Sequence, residues 1–370
     1  MANTESLRGF LQRTIADLVA IPSPSGQETS LADYVAAALR GSGLTPERDG
    51  DDNVWVGIGS GDRCLHLNAH LDTVVPVDGW VGDPFTARLD GARLHGLGSS
   101  DCKGGVAGLL WLAPRISPKI RVVVSFTACE EGVGLAKPNG SERMAAMGGD
   151  WAILCEPSCD GEGPRLGVGT QGHARANVRF KGKAAHSSVP EDGVNAIHAA
   201  SRFCAGLEKL NASFPKVELA PGACFRATVA PTIVAGGKLS NIIPDACEVT
   251  VSRRLAPGES VATFRAELDR LLAGADASFT VASDGPCAMA ARDGALLAAA
   301  REACASVGMP ARELFVRGRT DAVIFARHGV DTMSLGPGET GQAHVANEFV
   351  NLDSAASCVR LLEALVNSLG

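Results

Sequence analysis

Residues Arg121 to Gly132 read RVVVSFTACEEG, a short β-branched and aliphatic run that stops at two adjacent carboxylates, Glu130 and Glu131. An unbroken apolar run of this length, closed by charge, is the pattern of a strand covered on both faces. Two neighbouring acids at the end of a buried strand repel one another unless cations compensate them. Adjacent residues also point in different directions. One acid can therefore bind a metal while the other faces a substrate and takes a proton from metal-bound water.

Three similar runs predict partner strands: Cys64 to Ala69 (CLHLNA), Trp151 to Cys155 (WAILC) and Asp331 to Leu335 (DTMSL). Between them Gly104 to Leu112 (GGVAGLLWL) reads as a buried helix that starts just after Asp101. This βαβ rhythm predicts an α/β fold with a mostly parallel sheet covered on both faces. In such sheets ligands gather beyond the carboxyl ends of the strands. His70 and Asp72 follow one run and Glu156 follows another. His344 follows the last through a Gly-Pro-Gly loop at Gly336 to Gly338, which carries it to the same rim. In His70-x-Asp72 the carboxylate is placed to fix the imidazole tautomer.

The candidate metal ligands are His70, Asp101, one of the pair Glu130 and Glu131, Glu156 and His344. Nitrogen and oxygen donors without sulfur suit Zn²⁺, with Co²⁺ or Mn²⁺ as substitutes, and a shared Asp101 would bridge two ions about 3.5 to 4 Å apart. Blander readings exist for single motifs: Asp101 also suits a helix N-terminus, and His-x-Asp is a common strand-end turn. A phosphate loop fits worse, because Gly96-x-Gly98 lacks its third glycine. His66 lies roughly 13 Å up an extended chain from His70 and cannot share its ion.

A chain of 370 residues exceeds the size at which one core keeps growing, so two domains are expected. The net charge of -7, with scattered Lys and Arg, leaves no basic stripe for nucleic acid. No segment is apolar for long enough to span a bilayer, and Met1 to Ala20 is too charged for a signal peptide, so a cytoplasmic enzyme is expected. The 11 cysteines form no Cys-x-x-Cys pair, which points to reduced, buried thiols. Near Gly167 the texture changes. Ala174 to Lys181 (ARANVRFK) and Cys247 to Leu255 alternate like half-exposed strands, with helices at Val194 to Leu210 and Ser260 to Ala273. The α/β pattern resumes near Arg292. The expected organisation is a catalytic domain over 1–167 and 284–370, with a smaller α+β domain inserted at 168–283.

The motifs HLDTV at His70, GLGSSDCKGG around Asp101, ACEEG, CEPS at Glu156, AAHSSVPEDGVNAI at His186, SNIIPD at Asn241 and AH at His344 run in one order over nearly the whole chain. In this they resemble the zinc-dependent family that includes acetylornithine deacetylase, succinyl-diaminopimelate desuccinylase, aminoacylase and glutamate carboxypeptidase. The resemblance implies two Zn²⁺, one held by His70, Asp101 and Glu156, the other by Asp101, Glu131 and His344. It implies that Glu130 is the general base when zinc-bound hydroxide attacks an amide carbon. His186 would reach the substrate carbonyl oxygen, often at the partner subunit's site, with Asn241 nearby, and Arg254 would pair with the substrate carboxylate.

The inserted domain resembles the family's dimerisation or lid domain, so a homodimer is implied. The expected reaction removes a short acyl group from the nitrogen of a small amino acid. LGPGETGQAH, ending at His344, is closer to acetylornithine deacetylase than to the desuccinylase, and the same scaffold also serves dipeptidases and carboxypeptidases. One departure is Cys102, where many relatives carry a larger residue such as methionine.

Overall fold

The computed structural model describes residues 5–132, 135–220 and 223–369, so the first four residues of the Met1 to Ala20 stretch lie outside the described residues. Two compact units emerge. One comprises Met1–Gly169, Met289–Val316 and Thr320–Gly370, the other Thr170–Ala288 with Arg317–Arg319.

In the first unit four strands lie side by side and parallel, in the order Arg121–Thr127, Cys64–His70, Trp151–Asp160 and Asp331–Glu339. Antiparallel neighbours flank them: Val54–Ile58 beside Arg121–Thr127, and Leu166–Thr170 beside Asp331–Glu339. Every residue of Cys64–His70 is buried, as a strand covered on both faces demands. Helices Lys103–Leu112 and Leu352–Leu369 pack together against the sheet, and Ser141–Ala146 pairs with Ala322–Arg327 as a second helical couple. Lys103–Leu112 sits unusually close. A Cβ on Gly104 would stand 2.2 Å from the Pro337 carbonyl oxygen, and one on Gly105 would stand 2.5 Å from that of Cys155. The glycines let this helix touch two strand backbones directly.

Two strands run further than the sequence suggests. Glu156 lies inside Trp151–Asp160 rather than beyond it. The Gly-Pro-Gly stretch expected as a loop belongs to Asp331–Glu339. Pro337 cannot donate to the ladder, and the register against Trp151–Asp160 slips on either side of Gly336, so pairing continues through an irregularity rather than ending. His344 therefore reaches the rim from the turn after the strand.

The second unit is a four-stranded antiparallel sheet in the order Thr228–Gly236, Ala246–Leu255, Gly172–Lys181 and Ala277–Gly285. Ala174, Ala176, Val178 and Phe180 alternate inward and meet Phe203 and Leu207 of helix Ala196–Ser213 and Phe264 and Leu268 of helix Val261–Leu271. Ser260 and Thr263 cap the latter helix reciprocally. Beneath it Arg253, fully buried, bonds Glu267 through Nε and Nη2 at 2.9 Å and Glu259 at 3.0 Å. Among the described residues no helix is long and apolar enough to cross a membrane.

Candidate metal centre

His70 closes its strand at the carboxyl edge of the sheet. Its Nδ1 lies 2.9 Å from the main-chain oxygen of Asp72, against 3.6 Å from the Asp72 carboxylate. The backbone carbonyl thus holds the Nδ1 proton and leaves Nε2 available as a ligand atom. The Asp72 carboxylate, expected to set that tautomer, stands further off and has a second task. It accepts hydrogen bonds from the Glu130 N–H at 3.0 Å, the Glu131 N–H at 2.9 Å and the Ser25 hydroxyl at 2.6 Å. One buried acid therefore fixes the peptide bearing both candidate acids.

Nε2 of His70 lies 3.0 Å from Asp101 Oδ1 and 4.0 Å from Glu156 Oε2. On the other side of Asp101, His344 Nε2 stands 2.5 Å from Glu131 Oε1 and 3.9 Å from Asp101 Oδ2. His344 takes a left-handed backbone, with φ 61°. The ligand atoms of Asp101, Glu131 and His344 all lie within 4.8 Å of one another, as do those of His70, Cys102 and Glu156. The five predicted ligands therefore converge, with Asp101 facing both imidazoles. Cys102 joins them as a buried neighbour whose thiol donates to the Cys155 carbonyl at 3.0 Å.

Charge on Glu130, Glu156, His70 and His344 is held out of its ordinary range. Burial, then the carboxylates of Asp321, Glu131 and Glu156, keep the Glu130 carboxyl well above the usual carboxylate range. Burial, opposed by His70 and reinforced by Asp101, pushes Glu156 up to about 8. Burial alone would depress His70, but Cys102, Asp101 and Asp72 together raise it. The hydrogen bond to Glu131 leads in raising His344. Crowded carboxylates and two imidazoles with nitrogen atoms turned inward make a donor set that fits divalent cations of the zinc type.

Several supporting residues escaped the sequence reading. Glu28, fully buried, accepts from the N–H groups of Gly26 at 2.7 Å and Cys129 at 3.1 Å, and pairs with Lys137 at 2.7 Å. Glu348 accepts from Gly98, Ser100 and Asp101. Nothing in the sequence separates these acids from surface acids, because their partners are backbone N–H groups far away in the chain.

His186, Asn241 and Arg254 lie in the second unit. His186 is exposed, with Nδ1 2.7 Å from the Ser188 hydroxyl, and the neighbouring Ser187 N–H donates to the Asn241 carbonyl at 3.0 Å. Arg254, partly exposed, pairs across the sheet with His173 and Thr228, while Arg253 turns inward as the alternation of a strand requires.

A parallel sheet whose carboxyl edge gathers two imidazoles and a group of acids, one of them between the imidazoles, offers a candidate site for divalent cations of the kind that metal-dependent hydrolases use. The chain belongs to Peptidase family M20/M25/M40, whose model matches residues 66–368, and it is thus a hydrolase of amide bonds. It is 33% identical over 365 residues to a putative succinyl-diaminopimelate desuccinylase of Mycobacterium tuberculosis, covering 96% of this chain and 98% of that one. An acetylornithine deacetylase of Myxococcus xanthus is 30% identical over 384 residues, with 96% of each chain covered. Among solved structures, a dinuclear metal-binding peptidase of the M20 family from Bacillus subtilis superposes with a TM-score of 0.73 at 18% identity, covering 97% of both chains, and so shares the fold.

Proposed function

We propose that this protein hydrolyses the amide of a small N-acyl amino acid, using a pair of divalent cations, Zn²⁺ by the donor set. The observation that carries the reading is the convergence of His70, Glu156, Glu131 and His344 around Asp101, with Glu130 fixed beside them by Asp72. His70, Asp101 and Glu156 would hold one ion, and Asp101, Glu131 and His344 the other. When bound, the ions polarise the amide carbonyl and lower the pKa of water. Glu130 takes the proton of the attacking water and passes it to the leaving nitrogen. Its position beside the candidate ligands, fixed through its backbone by Asp72, suits a group that must both accept and return a proton. Asp72 keeps Glu130 and Glu131 in mutual register throughout.

By resemblance, His186 and Asn241 would stabilise the developing oxyanion and Arg254 would pair with the substrate carboxylate, in a homodimer whose inserted unit provides the contact. The relatives' names support two acyl groups. The desuccinylase, at 33% identity, makes N-succinyl-diaminopimelate the first substrate to test, ahead of the N-acetylornithine that the motif around His344 favours. Purified protein should hydrolyse one of these in preference to simple dipeptides and lose activity on chelation. Glu130→Ala should keep its metal, measured by elemental analysis, yet fall about 10²- to 10⁴-fold in kcat. Unchanged turnover in that variant would reject the base assignment.

A further inference from the structure

Glu348 lies 247 positions from Asp101 in the sequence and is buried, only 2% exposed. Its carboxylate receives three main-chain N–H groups of one loop. Oε2 accepts from Gly98 at 2.8 Å, and Oε1 accepts from both Ser100 and Asp101 at 2.8 Å. Its own backbone is held as well. The Glu348 carbonyl accepts from the Gly96 N–H at 3.1 Å, and the following strand, Phe349–Asn351, pairs with Arg93–His95. One carboxyl group that accepts from several N–H donors of the same loop allows the loop one position. Four residues earlier in the same segment stands His344, in contact with Glu131.

We infer that Glu348 is a positioning residue for the cation pair, a clasp that fixes the bridging Asp101 against the segment that carries His344. This inference rests on the divalent-ion reading given above. The carboxylate of Asp101 can serve two ions only if its main chain stays put, and the Asp101 N–H is itself held by the clasp. Glu348 touches neither substrate nor the reacting atoms. Its effect passes through the Gly98–Asp101 loop, and it should therefore be felt at both cation positions, because Asp101 faces both.

The test is Glu348→Gln, nearly the same shape, in which an amide NH₂ must face at least one of the three N–H donors. Its metal-free form should keep the wild-type circular dichroism spectrum. Zn²⁺ affinity, measured by competition with a chromophoric chelator, should weaken about 10- to 100-fold at both positions. The visible spectrum of the Co²⁺-loaded variant should also change. Should the glutamine variant fail to fold, Glu348→Asp, which retracts the carboxylate by one methylene, carries the same expectation. A folded variant with wild-type affinity and an unchanged cobalt spectrum would overturn the inference, even if its melting temperature fell. Wild-type protein that binds no divalent ion would instead overturn the metal reading, so the two failures are told apart.

Discussion

At the scale of single residues, burial raises the carboxyls of Glu130 and Glu156, and a cation bound at Glu156 would have to displace its proton. Burial sets Glu156 at about 8, so below that pH its carboxyl is mostly protonated in the metal-free protein. Loading a divalent ion has to expel that proton, and affinity should fall as pH drops below about 8. Calorimetric titration of metal into chelated protein at pH 7, in buffers of different ionisation enthalpy, should report net proton release, and its absence would contradict the arrangement. The sign for folding without metal follows. A carboxyl raised from 4.5 to about 8 favours the fold while neutral, so its contribution is complete below 4.5 and is lost as pH rises toward 8. The candidate ligands were legible because paired acids and strand-end imidazoles are costly to place without a purpose. Asp72 was legible only as an acid near His70. Its grip on the Glu130 and Glu131 N–H groups joins residues 58 and 59 positions away, a relation that local pattern cannot carry.

At the scale of elements, the helix Lys103–Leu112 is the mount for the loop that carries Asp101. Its contact with two strands depends on the absence of a side chain at Gly104 and Gly105. Gly105→Ala would drive a methyl group toward the Cys155 carbonyl oxygen, next to Glu156, and should cost about 1 to 3 kcal/mol in denaturant unfolding, as overpacking does. A neutral result would mean that the helix can move away from the strand. The four parallel strands could be read from the sequence because full burial leaves unbroken apolar runs. Their ends could not. Gly336 to Gly338 looked like a loop, since glycine and proline usually stop a strand, whereas the close approach of Gly336 to Cys155 retains it in the sheet.

For the molecule as a whole, two units with separate cores share one chain. The inserted unit was visible as a change from unbroken to alternating apolar runs, because its sheet has only one covered face. Its stability leans on a charged group with no exposure, Arg253. Glu267→Ala removes that group's doubly bonded partner and should cost on the order of 3 kcal/mol. Zn²⁺ affinity, whose proposed ligands all belong to the other unit, should be unchanged in the same variant. A matching loss of affinity would show that the two units are energetically linked.

Synthesis runs from one end of the chain to the other, and the centre spans most of it. His344 and Glu348 leave the ribosome after the inserted unit and long after the residues they engage, which precede them by 213 and 247 positions. A nascent chain therefore displays His70, Asp101, Glu131 and Glu156 while the outer imidazole and the carboxylate beneath the Asp101 loop are still missing. Under the two-cation reading, the outer position would therefore be completed late, only once the segment carrying His344 and Glu348 has been made.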